Sequence, residues 1–186
     1  MQFAVNPTTP PASFRITGPH LRQSAVVNDI LRALPDWFGI EESIVNYVKE
    51  MDDLPVFLAL DVNPGTGGTR GTDGTGETGR AAGAGVLGFL SIKQHFDHAA
   101  EIHLIAVRAE HHRAGLGRAL LLAVEDWLRA RSVEFLQVKT LSPSRECEHY
   151  ARTRKFYEAM GFRALEEFST LWGERNPCLV MIKSIV

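Results

Sequence analysis

Glu101, His103 and the glycine pair Gly115 and Gly117 are the residues whose types and spacing first suggest chemistry in this chain. Residues 101–107 alternate, with Ile102, Leu104 and Ala106 pointing one way and Glu101, His103, Ile105 and Val107 the other, which predicts a strand. From Leu116 onward, Leu120, Ala123, Val124, Trp127 and Leu128 recur at helical spacing, while Arg118, Glu125, Asp126 and Arg129 fall mostly elsewhere on the wheel. Between strand and helix lies the basic, glycine-bearing turn from His111 to Arg118. A strand that feeds such a turn into a helix presents unpaired backbone N–H groups at the positive end of the helix dipole. That arrangement is an anion site suited to phosphate. Glu101 and His103, at the polar start of the same strand, add a carboxylate and an imidazole able to exchange protons.

Several other chemistries are excluded. A dinucleotide fold needs a third glycine after Gly115 and Gly117, but position 120 is Leu. It also needs an acidic residue ending a second parallel strand about twenty positions on, whereas Glu134 precedes the next strand. No Gly-Lys-Ser/Thr is present, so a nucleoside-triphosphate loop is out. Of the seven histidines, His95, His98, His103, His111 and His112 fit no compact ligand set, and two of them read as turn residues, so no metal is expected. Glu146 to His149 reads as a polar loop, and Ser142 and Ser144 have no base nearby in sequence.

The stretch around the glycines resembles the acyl-CoA-binding core of the GNAT-type N-acetyltransferases, whose pattern is Gln/Arg-x-x-Gly-x-Gly/Ala after a strand and opening a long helix. Gly115 and Gly117 match the two small positions, and His112 stands at the Gln/Arg position with Arg113 directly after it. The resemblance continues in Phe156, Tyr157, Gly161 and Phe162, which match a late helix ending in Phe-Tyr-x-x-x-Gly-Phe. It implies a mixed, mostly antiparallel sheet of six to seven strands flanked by about four helices, with acetyl-CoA as co-substrate. His112, Arg113, Ala114, Gly115, Leu116, Gly117 and Arg118 would then wrap the pyrophosphate, and Ile105, Ala106 and Val107 would bond the pantetheine arm. Glu101 stands where the histone-acetylating branch carries its catalytic Glu, and Tyr157 where many members carry a tyrosine that protonates the leaving thiolate. Tyr150 replaces the usual Asn of the late helix, so Arg154 or Thr153 is expected to help hold the cofactor.

The family chemistry meets one obstacle. An amine of pKa near 10.4 is only about 0.04% neutral at pH 7, and only the neutral form attacks a thioester. Glu101 is the first candidate base and His103 the second. The reading is an N-acetyltransferase moving an acetyl group from acetyl-CoA to a primary amine by direct transfer in a ternary complex. The alternative is a non-catalytic acyl-CoA-binding module. The acceptor, a small molecule or a peptide amine, cannot be read from the sequence.

The elements that must position these groups follow from patterning. Phe14 to Thr17 reads as a strand, and residues 20–34 as a helix by Leu21, Val27, Ile30, Leu31 and Leu34, stopped at Pro35. Ile40, Ile44, Tyr47, Val48 and Met51 mark a second helix that Asp36 could cap. In the family the segment joining these helices walls the acceptor site, so Trp37 and Phe38 either contact substrate or plug the core between the helices. Residues 55–62 and 86–93 read as strands, joined by a Gly/Thr-rich loop over 63–85 expected to be flexible. The second of them turns over residues 95–98 into the Glu101 strand. Strand 134–140, an exposed loop over 141–148 and helix 150–160 follow. Gly161 is expected as a left-handed cap with Phe162 packing beyond it, and two closing strands span 162–170 and 178–184. Strand, two helices, three strands, helix, strand, helix, two strands is a mixed α/β order.

Composition agrees with one soluble domain over 13–186 after a flexible tail at 1–12. The chain has 186 residues, 45% hydrophobic and 23% charged. A net charge of −2 without a basic block argues against nucleic acid as the main partner. No stretch approaches the roughly 20 apolar residues of a membrane span, and the start lacks a signal-peptide core, so a cytoplasmic location is expected. Cys147 and Cys178 are expected as free thiols, and a homodimer is an open expectation.

Overall fold

The computed structural model describes residues 13–62 and 85–186. The expected tail at 1–12 and all but the last residue of the expected loop at 63–85 lie outside the described residues. Seven strands form one sheet in the order β1-β2-β3-β4-β5-β7-β6. They are β1 (Phe14–His20), β2 (Val56–Asp61), β3 (Val86–Phe96), β4 (Ala99–Val107), β5 (Phe135–Leu141), β6 (Arg163–Phe168) and β7 (Cys178–Ser184). The helices are α1 (Ser24–Arg32), α2 (Glu41–Glu50), α3 (Leu116–Arg129) and α4 (Glu148–Ala159). Every neighbouring pair is antiparallel except β4 and β5, which run parallel across the α3 crossover. The fold is mixed α/β, as the element order predicts, and mostly antiparallel, as the family resemblance implies.

Each face of the sheet carries its own core. On one face Leu116, Leu120, Leu121, Val124 and Leu128 of α3 pack with Leu90, Ile102, Leu136 and Val138, and Tyr157 of α4 joins them. On the other, Val27, Ile30, Leu31, Ile44 and Met51 pack with Val56, Phe89, Leu104 and Ala106. Burying each such side chain stabilises the fold by about 1.5–3 kcal/mol.

The simple alternation expected of residues 101–107 does not hold. Ser91 pairs with Leu104 and Ile92 with Ile102, so His103 is an extra residue, a β-bulge. The bulge sends Ile102 to the α3 face together with Ile105 and Val107, while Leu104 and Ala106 fill the α1/α2 core. It also frees the Leu104 N–H, which donates to the fully buried Ser91 hydroxyl at 3.1 Å. Glu101 and His103 still share a cleft, because the bulge keeps His103 toward α2, edge-on to Tyr47 at 5.8 Å.

Other boundaries move for local reasons. β1 continues to His20, which pairs with Val56, so α1 starts at Ser24 rather than His20 and Leu21 is exposed. Asp36 does not cap α2: the N-cap is Ile40, whose backbone is extended, and no side chain caps it. β3 runs through His95 and Phe96, leaving a tight turn at 97–98. The segment 141–148 is not wholly exposed, because Leu141 ends β5 buried, Ser142 is buried too and the Ser142 hydroxyl donates to Glu167. Glu125, expected off the apolar stripe, is 1% exposed and takes hydrogen bonds from Lys183 and Arg129. Gly161 does cap α4 at φ 90°. Phe162 N–H bonds the Tyr157 carbonyl, Gly161 N–H the Glu158 carbonyl, and the two rings meet at 5.6 Å, a complete Schellman motif.

Candidate active site

β4 and β5 pair only from Ala99 with Phe135 to Ile102 with Val138. Beyond that point β5 stays with β7 as far as Leu141 and Cys178, and β4 leaves it for the turn before α3. The wedge between them is a cleft of about 750 Å³, large enough for a substrate-sized ligand.

The glycine turn closes one end of this cleft. Arg113 at φ 64° and Gly115 at φ 85° both take the left-handed region, and a Cβ on Gly115 would meet nothing within 4 Å, so backbone conformation rather than space explains the glycine. His112 N–H bonds the Ala109 carbonyl, and backbone bonding resumes with Ala119 N–H to the Gly115 carbonyl. Among the described residues, no protein acceptor takes the amides from Arg113 through Arg118. Arg113, Gly115, Leu116, Gly117 and Arg118 line the cleft, whereas Ala114 contributes to the turn without lining it. His112 donates from Nε2 to the Val107 carbonyl at 2.7 Å, so it fastens the turn to β4 and occupies that carbonyl. Ile105, Ala106 and Val107 lie along the cleft on the stretch of β4 that has no β5 partner.

The opposite end is ionic. Glu101 is 5% exposed, and its Oε2 accepts from Lys139 Nζ at 2.6 Å, His95 Nε2 at 2.7 Å and Gln137 Nε2 at 2.9 Å. Burial pushes its pKa up, but the donors from Lys139, His95 and Gln137 outweigh burial and hold it below the ordinary carboxylate value. Glu101 is therefore ionised at neutral pH. His103 goes the other way: burial lowers its pKa against the opposing pull of Glu50 and Glu101, so it is neutral at pH 7. Its buried Nε2 lies 3.4 Å from Glu50 Oε2 without the geometry of a hydrogen bond.

Tyr157 reaches the cleft from α4, 4% exposed, and no described residue hydrogen-bonds its hydroxyl. Burial raises its pKa far above 10, so it stays a proton donor. Thr140, on β5 past the fork, lines the cleft with a buried hydroxyl that has no partner among the described residues.

Trp37 and Phe38 line the cleft and also pack on the α1/α2 core. Trp37 Nε1 donates to Thr153 Oγ1 at 3.2 Å, its carbonyl accepts from the Tyr150 hydroxyl at 3.0 Å, and its ring meets His112 edge-on at 5.4 Å. Tyr150 thus ties the helix-joining segment to α4, and burial pushes its pKa up to about 12. Arg154 donates to the Leu141 carbonyl at 2.7 Å and does not line the cleft; Arg152 and Thr153 do.

Sequence reasoning missed His95, Lys139, Gln137, Lys93 and Thr140. His95 was expected in a turn, but it stands in β3 against Glu101. A signal existed: Lys93 and His95, Glu101 and His103, and Gln137 and Lys139 are polar pairs two residues apart on three separate strands. Among the described residues no group of His, Cys, Asp or Glu could hold a metal ion, and no helix is long and apolar enough to cross a membrane. Cys147 and Cys178 are free thiols.

Residues 78–164 match the family model described as acetyltransferase (GNAT) domain. No curated protein matches the chain. Solved structures similar in fold include a GNAT-family protein from Desulfovibrio desulfuricans, 17% identical over 94% of this chain and 100% of that one, with a TM-score of 0.71. An aminoglycoside 6'-N-acetyltransferase complexed with coenzyme A is 17% identical over 88% and 91%, with a TM-score of 0.62. The ribosomal-protein-S18-alanine N-acetyltransferase from Escherichia coli is 19% identical over 93% and 94%, with a TM-score of 0.61.

Proposed function

We propose, from the premise that this chain carries a GNAT acetyltransferase domain in that family's fold, that residues 13–186 form one enzyme transferring an acetyl group from acetyl-CoA to a primary amine in a ternary complex. One observation carries the reading: the amides from Arg113 through Arg118 have no acceptor among the described residues, and they open a helix beside the fork of the sheet. Acetyl-CoA fits the residues present. The free amides and the Arg113 and Arg118 side chains suit its diphosphate. The unpaired stretch of β4 and the orphaned Thr140 hydroxyl suit its amide-bearing arm.

The thioester supplies the activated acyl group, and the chain's residues manage charge around it. Ionised Glu101 favours the acceptor's ammonium at the ionic end of the cleft. Complete proton transfer to Glu101 from an amine of pKa near 10.4 is uphill by about 8 kcal/mol or more, at 1.36 kcal/mol per pKa unit. Glu101 therefore acts best through water, with neutral His103 as a second acceptor whose pKa lies nearer the amine's. Less basic amines lower this cost directly. The neutral amine attacks the thioester carbon, the C–S bond breaks and the Tyr157 hydroxyl gives its proton to the departing thiolate, while the surplus proton on the new amide nitrogen leaves through water and restores the tyrosine.

Thiol release from acetyl-CoA across a panel of amines tests the proposal, alongside calorimetry with coenzyme A. Amine-dependent release with tight binding is the expected result. Binding without turnover on any amine would instead support a non-catalytic acyl-CoA module, and no binding would defeat both.

A further inference from the structure

The cleft's charge inventory says what kind of amine it accepts. Among the described residues that line it, Glu101 is the single carboxylate, set against Lys93, Lys139, Arg113, Arg118 and Arg152. The three arginines stand on the glycine turn and α4, where the diphosphate-bearing co-substrate is proposed to lie. The acceptor end is left with Glu101, Lys139, Lys93 and the nearby Glu50. There each carboxylate already holds a lysine: Lys139 on Glu101 at 2.6 Å and Lys93 on Glu50 at 3.2 Å. A polycationic acceptor would find no uncompensated negative charge at this end, and would meet two lysines.

The two ion pairs are not equivalent. Lys139 is tied to a carboxylate whose side chain is 7% exposed, beside two further donors. Lys93 and Glu50 are each 44% exposed, and a solvent-facing pair of that kind contributes little and exchanges readily. Lys93 is also the cross-strand partner of Glu101, so its side chain leaves the same face of the sheet directly beside it. If Lys93 turns to a ligand, Glu50 is not stranded: it remains half-exposed to water, with the unpartnered His103 Nε2 at 3.4 Å.

We infer that the acceptor is a small amine that also carries a carboxylate, of amino-acid size, with Lys93 binding the carboxylate while the amine lies toward Glu101. The inference rests on the proposed acyl transfer for its chemistry, but the binding site itself does not. The roughly 750 Å³ of the cleft must also take the thioester arm, which favours a compact acceptor.

The test compares α-amino acids with their carboxamides, the decarboxylated amines and spermidine. Thiol release is measured at fixed acetyl-CoA, and binding to the coenzyme A-loaded protein by calorimetry. Amino acids should exceed their carboxamides by about tenfold or more in kcat/KM, the scale of one charge-assisted hydrogen bond. Lys93→Met should collapse that ratio toward one, and Lys93→Glu should invert it, with coenzyme A affinity reporting that both variants fold. Carboxamides or spermidine matching the amino acids, or a preference that survives Lys93→Met, overturns the inference while leaving acyl transfer intact. Lys93-dependent amino-acid binding without thiol release from any amine would sustain the acceptor site and defeat the transfer reaction. Equal binding of acid and amide to the loaded protein would overturn the site itself.

Discussion

In the proposed reaction Tyr157 is the acid and Glu101 the base, roles that their environments favour. Burial in the α3/α4 core keeps the Tyr157 hydroxyl protonated, so Tyr157→Phe removes a donor and little packing. Turnover is expected to fall about 10²-fold with coenzyme A affinity nearly unchanged, as steady-state kinetics and calorimetry would show. Glu101→Gln should lower turnover on a similar scale without abolishing it; a wild-type rate across pH would remove Glu101 from the mechanism. Stability supplies a second check. The folded pKa of Glu101 is depressed below 4.5, so its contribution is fully present above that value and is lost as pH falls through the folded pKa. In acid unfolding monitored by circular dichroism, Glu101→Gln should flatten that limb of the stability curve. His103, with its pKa below 6.5, should give no break in kcat/KM above that pH, and a limb rising beyond pH 7 should track the acceptor amine's own pKa.

At the scale of elements, the β4 bulge keeps His103 in the cleft with Glu101 while it puts Ile102 in one core and Leu104 and Ala106 in the other. Ser91 is the residue that makes the bulge tolerable, by accepting the Leu104 N–H inside the core. Ser91→Ala should leave that buried donor unsatisfied and cost about 1–3 kcal/mol in urea unfolding. The loss should be accompanied by weaker turnover, because His103 is the bulged residue itself. A variant as stable as the parent would show that the bulge is held by other contacts.

Over the whole molecule, the crossover helix α3 is anchored to β7 by Glu125, which is buried between Lys183 and Arg129 while Arg129 also donates to the Ile185 carbonyl at 2.6 Å. The positively charged partners compensate a carboxylate that would otherwise be expensive to bury. Lys183→Met is expected to destabilise the fold by about 3 kcal/mol, the low end for breaking such a pair, since Arg129 remains. The urea midpoint should fall without a change in slope. Coenzyme A should raise the melting temperature of both proteins by mass action, because the cleft lies away from this anchor.

What the sequence determined by itself is whatever depends on neighbouring residues. The turn from His111 to Arg118, its free amides, the apolar stripe of α3 and the Gly161 cap all follow from backbone conformation and periodicity over a few positions. The strand-and-helix order followed too, and with it the mixed sheet. What surrounds Glu101 was decided only by tertiary structure. Lys93 and His95, Gln137 and Lys139 stand some six to forty residues from it in sequence, and strand order alone makes them neighbours. The bulge that turns His103 toward α2 leaves no period-2 signature, and Glu125 looked like a surface charge until β7 supplied Lys183. Even the sign of each pKa shift depends on burial and partner distance, which are properties of the assembled sheet and not of any stretch of chain.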